Sequence, residues 1–307
     1  MDQITVHSPA SVSNVVCGFD CLGFALYEPY DIITVKKRSD RKTSINNLNA
    51  PELPTDPSSN VAGVAVMAML DAIEADFGLE IEITKGIKPG SGIGSSAASS
   101  CGAVFALNEL LDGHFSKFEL VRFALEGEYL ASGSRHADNA APCIYGGFTL
   151  VRSAEPLDIV PVRFPQLYAT VVHPQIEIKT SESRALLPKE VDLADAVKYW
   201  SNLGAFVAAL NTGDLDLMAR SMEDRMIEPA RKPLIPKYDE VKAVSLEAGA
   251  IGVGISGSGP SMFALSETEM TANEISAAIN NVFADSNIDF AVYVSLISPI
   301  GVRVAEN

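Results

Sequence analysis

Between Lys88 and Ser96 the chain reads Lys-Pro-Gly-Ser-Gly-Ile-Gly-Ser-Ser. Strand-like alternation over Glu80–Thr84 precedes this stretch, and small residues follow it, then Val104, Phe105, Leu107, Leu110 and Leu111 at helical spacing. A strand, a glycine loop and a helix in that order constrain the fold strongly. Alternating small residues let backbone N–H groups converge on an anion, and a helix start adds about half a positive charge. Phosphate is the natural occupant; an ordinary Gly/Ser turn with a helix cap is the alternative. The spacing excludes two nucleotide motifs. Gly90, Gly92 and Gly94 are followed by Ser95 and Ser96, so G-x-G-x-x-G fails at its third glycine, and no Lys precedes a Ser or Thr as in a Walker loop. Other cations are then needed, and Lys85 and Lys88 are close in sequence. Ser95 or Ser96, on the first helical turn, is placed to offer a hydroxyl to a phosphate-bridging magnesium ion.

The 307 residues around this loop are enough for two domains. Apart from the loop itself, residues 1–155 read as strands at Ile4–His7, Asp31–Val35 and Phe148–Val151, with helices from Asn60 and over Lys117–Leu130. Pro9–Asp20 is rich in Ser, Gly and Asn and separates two strands; residues 36–59 read as surface loop. Residues 156–307 start a fresh alternation. Strands are expected at Tyr168–Val172 and Ala291–Leu296, and helices at Leu193–Leu210, Leu215–Glu223, Tyr238–Ala248 and Ala272–Phe283. Two short strands flank Ser256-Gly257-Ser258-Gly259-Pro260, which reads as a tight hairpin or as backbone closely approaching the first domain's site.

With 39 Asp and Glu against 23 Lys and Arg, the net charge of −16 repels polyanions and argues against nucleic-acid or anionic-membrane binding. No apolar run of 18 residues and no basic-then-apolar leader is visible, so a soluble, cytoplasmic chain is expected. Cys17, Cys21, Cys101 and Cys143 are few and irregularly spaced, as reduced structural thiols are.

Beyond the loop, Glu128 on a helix is followed by His136 and Asp138. One carboxylate, one serine hydroxyl and phosphate oxygens make a normal magnesium shell, and Glu128 is the candidate ligand. Glu126 competes, but two residues of separation put the pair on different helical faces. Asn14, Asp20, His136 and Asp138 are candidates for the polar wall of a substrate pocket; as single residues each also suits a turn. Arg184 and Arg231, cations in an acidic chain, fit a substrate carboxylate or a surface ion pair.

Taken together, Pro9-Ala10-Ser11 with Asn14 and Gly18-Phe19-Asp20, the loop from Gly90 to Ser96 followed by Ala97-Ala98, His136-Ala137-Asp138-Asn139, and Ser256–Pro260 resemble the GHMP small-molecule kinases over essentially the whole chain. Within them the match is to the branch acting on homoserine. The resemblance implies an α+β fold of two domains, the first containing a left-handed βαβ unit and the second ferredoxin-like. It implies transfer of the ATP γ-phosphate to the side-chain hydroxyl of L-homoserine, giving O-phospho-L-homoserine in threonine biosynthesis, and a homodimer. ATP would contact Asn60 and the run Lys88, Pro89, Gly90, Ser91, Gly92, Ile93, Gly94, Ser95, Ser96, Ala97 and Ala98, with Mg²⁺ on Ser96 and Glu128. Asn14, Asp20, His136, Asp138, Arg184 and Arg231 would hold the amino acid, the arginines on its carboxylate. Asp138 and Asn14 are the implied catalytic residues, Asp138 orienting the hydroxyl or accepting its proton. The family pattern has Leu-Gly-Pro where this chain has Val15-Val16-Cys17, and Pro where Lys88 stands; neither change removes a ligand.

Overall fold

A computed structural model describes residues 2–306 apart from Glu177 and Lys179. The chain opens with a long antiparallel hairpin, β1 (Gln3–Val15) and β2 (Gly18–Arg38). β1 thus runs through the Ser- and Pro-rich stretch that reads as a connection in sequence. Composition misleads there because Ser8, Ser11 and Ser13 are buried and partnered, the Ser8 hydroxyl donating to the Ala98 carbonyl at 2.6 Å. The expected loop at 36–59 also contains structure: β2 continues to Arg38, β3 covers Ser44–Asn47, and a 3₁₀ turn covers Pro57–Ser59.

Next come α1 (Val61–Ala72), β4 (Gly78–Thr84), α2 (Ser95–Leu110), α3 (Lys117–Ser132), α4 (Ala137–Tyr145), β5 (Phe148–Ala154) and β6 (Leu157–Val162). β3 and β4 are parallel neighbours joined through α1, a βαβ unit. β1 lines one edge of β2; the other edge takes β5 at Leu22–Phe24 and β4 at Ile32–Arg38. α4 is absent from the sequence reading because Pro142 lies inside it, removing one ladder donor.

The remainder consists of β7 (Tyr168–Pro174), α5 (Thr180–Ala185), α6 (Leu193–Thr212), α7 (Leu215–Ser221), α8 (Glu228–Arg231), α9 (Tyr238–Glu247), β8 (Gly252–Ile255), β9 (Met262–Ser266), α10 (Glu269–Ala284), β10 (Phe290–Leu296) and β11 (Arg303–Val304). The second sheet is antiparallel with order β10-β7-β9-β8. Numbered within this half, that is 4-1-3-2, the ferredoxin-like arrangement. Residue 155 falls at the tip of the β5–β6 hairpin, and both of its strands belong to the first sheet, which the chain leaves after Val162. β11 returns to pair with β1, so the C-terminus also belongs to the first sheet.

Two packing features position the site. Gly127 of α3 sits so close to α2 that a Cβ there would lie 2.2 Å from the Ser100 hydroxyl and 2.5 Å from the Val61 carbonyl. Ser96 lies one turn before Ser100, so this crossing brings Glu128 to the start of α2. Beneath the glycine loop, Lys85 and Asp31 form a fully buried ion pair. The Lys85 ammonium also donates to the Ser95 carbonyl at 3.0 Å and the Ser99 hydroxyl at 2.9 Å, while Asp31 Oδ1 accepts from the Gly86 and Ile87 amides. Lys85, a candidate phosphate cation in sequence, is therefore a strut between β2, the loop entrance and α2.

Removing one partner of a buried pair leaves an uncompensated charge. Asp31→Ala leaves the ammonium with only the Ser95 carbonyl and the Ser99 hydroxyl, and Lys85→Met leaves the carboxylate with the Gly86 and Ile87 amides and the Ser99 hydroxyl. Burial lowers the Lys85 pKa and raises that of Asp31. Each variant is expected to cost about 3–5 kcal/mol by urea unfolding, and an unchanged midpoint in either would contradict the role of the pair as a strut.

Candidate active site

Gly90, Gly92 and Gly94 all adopt left-handed backbone, with φ of 73°, 80° and 71°. The turns this creates are fixed from outside. The Ser91 carbonyl accepts from the Ser261 hydroxyl at 2.6 Å, the Gly92 carbonyl from the Ser256 hydroxyl at 2.8 Å, and the Ile93 carbonyl from the Ser11 amide at 3.2 Å. With these oxygens engaged, the amides of the loop end and the first turn of α2 remain for an anion. Side chains cannot enter this contact: a Cβ at Gly92 would lie 2.6 Å from the Gly259 carbonyl. The turn after β8 is therefore both a hairpin and a close approach to the first domain's loop.

Sequence left Ser95 and Ser96 equivalent, and the structure separates them. Ser95 donates to the Ile87 carbonyl at 3.0 Å, closing the loop, whereas the Ser96 hydroxyl meets the Glu128 carboxylate. Glu128 is buried and its Oε1 has no partner. Burial, followed by the charge of Asp138, raises its pKa to about 7 despite the Ser96 hydrogen bond. Glu126 faces outward, forked onto Arg135 at 3.0 Å. An unpartnered carboxylate oxygen beside a hydroxyl at the mouth of an anion cradle fits a hard cation that completes its shell with phosphate oxygens. Among the described residues there is no cluster of three or more His, Cys, Asp or Glu that would hold a metal without such help.

Asp138, on the first turn of α4, is also buried. Its pKa is raised to about 7, by burial first and by Asp20 second, with its own amide, Ser13 and Arg184 opposing. Asp20 takes the Arg184 guanidinium in a fork at 2.8 and 3.0 Å, and Arg184 reaches the His136 ring at 3.2 Å. Burial lowers the His136 pKa. Arg231 is almost wholly buried. It donates to the Gly257 carbonyl at 2.8 Å and stacks over Phe19 at 5.0 Å, and its Nε has no partner. Among the described residues no carboxylate lies within ion-pair distance of it. Asp224 holds the start of α8 by accepting from the Met226, Ile227 and Glu228 amides, which aims Arg231.

The β1–β2 turn delivers two site residues in left-handed conformation, Asn14 and Asp20, both with φ of 58°. Both polar ends of the Asn14 amide are engaged: Oδ1 accepts from the Asp20 amide at 2.7 Å and Nδ2 donates to Gly257 O at 2.8 Å. Asn14 therefore ties the hairpin tip to the second sheet. Val16, at the family's glycine position, has φ of 44°. That conformation costs roughly 1–2 kcal/mol, and burial of the Val side chain returns about as much, so the departure is tolerated.

Of the remaining expected residues, Asn60 caps α1, accepting from the Ala62 amide at 2.9 Å and donating to the Pro54 carbonyl at 2.7 Å. Lys88 extends across the surface to Gln175. Ser11, Ser13 and Asn139 form a hydrogen-bonded set behind Asp138, and Phe19 with Tyr199 supports the arginines. None of these five stands out in sequence as chemistry-bearing, since Ser, Asn and aromatic residues are common in turns and cores. The four cysteines are free thiols, and among the described residues no helix is long and apolar enough to cross a membrane.

Profiles of known families match this chain twice: the GHMP kinases N terminal domain over residues 60–147 and the GHMP kinases C terminal domain over residues 206–285. Homoserine kinase of Chloroherpeton thalassium is 43% identical, covering 99% of this chain and 100% of that protein. The Chlorobaculum tepidum homoserine kinase is 42% identical over 99% and 98%. The crystal structure of homoserine kinase from Cytophaga hutchinsonii superimposes with a TM-score of 0.96 at 45% identity, covering 99% and 98% of the two chains.

The two raised carboxylates have a measurable consequence. Asp138 has its pKa raised to about 7 in the folded state, against an ordinary value of 3.8 for an aspartate, so the native state binds more protons between those limits. Its contribution is favourable below about pH 4 and is lost as pH rises through 7. Asp138→Asn is expected to be more stable than the parent at pH 8, by a few kcal/mol at most, with the difference fading toward pH 4. Thermal melts at both pH values test this; a gain independent of pH would refute the shift.

Proposed function

The chain belongs to the homoserine kinases of the GHMP kinase family, and from that premise we propose how its residues carry the ATP-dependent phosphorylation of L-homoserine. The product, O-phospho-L-homoserine, serves threonine biosynthesis. One observation carries the proposal: the buried Arg231, with no ion-pair partner among the described residues, donates to the Gly257 carbonyl, and the turn carrying Gly257 packs against the glycine loop at Gly92. A substrate with a carboxylate at one end and a hydroxyl at the other fits a guanidinium that stands beside an anion cradle.

In this reading the run Lys88–Ala98 receives the ATP phosphates on its amides. The nucleoside lies on the Asn60 side, where Ser58, Val64 and Met67 help line an open groove of about 620 Å³ between α1 and α3. Ser96 and Glu128 would hold Mg²⁺, which when bound neutralises charge on the transferring phosphoryl group. Arg231 and Arg184 take the homoserine carboxylate, and Asp20, Asn14 and His136 face its ammonium group. The cavity at Arg231 is about 10 Å³, room for one water, so the pocket has to open for the amino acid to enter. Asp138 faces the hydroxyl. With a pKa near 7 it can accept the proton as the oxygen attacks phosphorus, and burial keeps water from competing for the phosphoryl group. Most of the rate comes from positioning and charge neutralisation, not from a strong base. A cytoplasmic location and a homodimer are proposed on the family resemblance.

An ADP-release assay over homoserine, mevalonate, shikimate and galactose tests the substrate assignment, with turnover expected for homoserine alone. Glu128→Gln is expected to lower kcat about 100-fold or more while metal-free ATP binding persists. Arg184→Ala is expected to raise the homoserine KM about 10-fold or more with the ATP KM unchanged. An unaltered homoserine KM in that variant would remove Arg184 from the pocket.

A further inference from the structure

We propose that Tyr199 is a positioning residue for substrate recognition: its hydroxyl joins Val16 to Phe19 and so fixes the aromatic platform on which Arg231 and Arg184 stand. The proposal rests on the reading of those arginines as the groups that take the homoserine carboxylate.

The tip of the β1–β2 hairpin is weakly held by its own ladder. The register passes from Val15 opposite Gly18 to Ser13 opposite Gly23, and β5 joins β2 only from Leu22, so Phe19, Asp20 and Cys21 form a bulge. A bulge re-aims side chains and leaves its backbone groups outside the ladder. Asn14, Val16 and Asp20, in and beside it, have left-handed backbone, and such residues keep that conformation only where the surroundings impose it. Two holds come from the second half of the chain. On the β1 side, Asn14 donates to the Gly257 carbonyl at 2.8 Å and the Gly257 amide donates to the Ser13 carbonyl at 3.0 Å. On the β2 side, the Tyr199 hydroxyl of α6 donates to the Val16 carbonyl at 2.8 Å and accepts from the Phe19 amide at 3.3 Å. One hydroxyl thus spans the turn, with its proton and a lone pair both engaged.

Phe19 is where this hold meets the pocket. Its ring centre lies 5.0 Å from the Arg231 guanidinium and 5.7 Å from that of Arg184, both within cation–π range. Two like charges beside one ring repel each other, and the negative face of the ring attracts both, so the platform steadies the pair where a substrate carboxylate can bridge them. Val16 and Phe19, the residues that the Tyr199 hydroxyl joins, also line the small cavity at Arg231. The ammonium end of the pocket is held separately, because the Asp20 amide donates to Asn14 Oδ1 at 2.7 Å and Asn14 is itself tied to Gly257. Loss of the Tyr199 hydroxyl therefore loosens the carboxylate end and spares the ammonium end.

The test uses the full-length protein with ATP and Mg²⁺ and compares homoserine with 3-aminopropanol, which keeps the hydroxyl and the ammonium and lacks the carboxylate. The analogue is read as its inhibition constant against homoserine, which requires no turnover. Tyr199→Phe keeps the ring and removes only the hydroxyl. It is expected to raise the homoserine KM about 10-fold, the scale of a lost buried hydrogen bond, with kcat and the ATP KM within about threefold of the parent and the analogue's inhibition constant within about twofold. Phe19→Leu removes the platform and leaves Tyr199 in place; it is expected to give the same signature and stands in if Tyr199→Phe folds poorly. An unchanged homoserine KM in Tyr199→Phe, or a rise matched by an equal rise in the analogue's constant, overturns the proposal in favour of general support of the hairpin tip. An analogue that inhibits the parent with a constant equal to the homoserine KM overturns instead the assignment of the arginines to the carboxylate.

Discussion

The direction in which the peptide groups of the glycine loop point is the constraint on which the rest of this site depends. A loop of left-handed glycines has no preferred partner for its carbonyls, and a loop that turned them inward would repel phosphate. Here Ser256, Ser261 and the Ser11 amide take the carbonyls of three consecutive residues. Two of those donors come from the second sheet and one from the first. The anion cradle is therefore a product of the two halves meeting, and neither half builds it alone. The same contact explains why glycine faces glycine, with Gly92 against Gly259, where any side chain would separate the halves.

The Asn14 amide and the Arg231 guanidinium converge on one oxygen, the carbonyl of Gly257, while the Gly257 amide donates to Ser13 O at 3.0 Å. The second glycine turn thus touches the glycine loop with one side and the proposed amino-acid pocket with the other. Between them lie Glu128 and Asp138, two buried carboxylates whose charges oppose each other. Packing holds Glu128 in place against that repulsion, through the Gly127 crossing of α3 on α2. Bound cation and substrate ammonium would relieve the repulsion, so part of their binding energy is prepared by the fold.

How much of this was legible in sequence follows from which interactions are local. α1, α2, α3, α6, α9 and α10 announce themselves by periodicity, and the parity of Glu126 and Glu128 along one helix already separates the solvent face from the site face. The glycine loop is readable because its residue types have few other uses. The Asp20–Arg184–His136 contact joins residues up to 164 positions apart, and only the family resemblance adds Arg184 to the other two in advance. The second half of β1 is hidden for a different reason. Its polar residues, Ser8, Ser11 and Ser13, carry the composition of a turn, and only burial with hydrogen bonding turns them into a core. Lys85 was misleading in the same way, since a lysine beside a phosphate loop invites a role that the buried Asp31 has already taken.

That last substitution of roles bears on how an acidic protein handles a polyanion. At −16 the chain repels ATP at long range. Of the lysines near the loop, one neutralises a buried aspartate beneath it and the other extends to Gln175 on the surface. In the proposed binding mode, close attraction falls to backbone amides, to the dipole of α2 and to a cation that Ser96 and Glu128 would hold. These act within a few ångströms and depend on geometry, unlike a mobile lysine, which tolerates many ligand positions. A site built in this way favours a phosphate chain in one orientation over polyanions in general, and the surrounding negative charge strengthens that preference by repelling whatever does not fit.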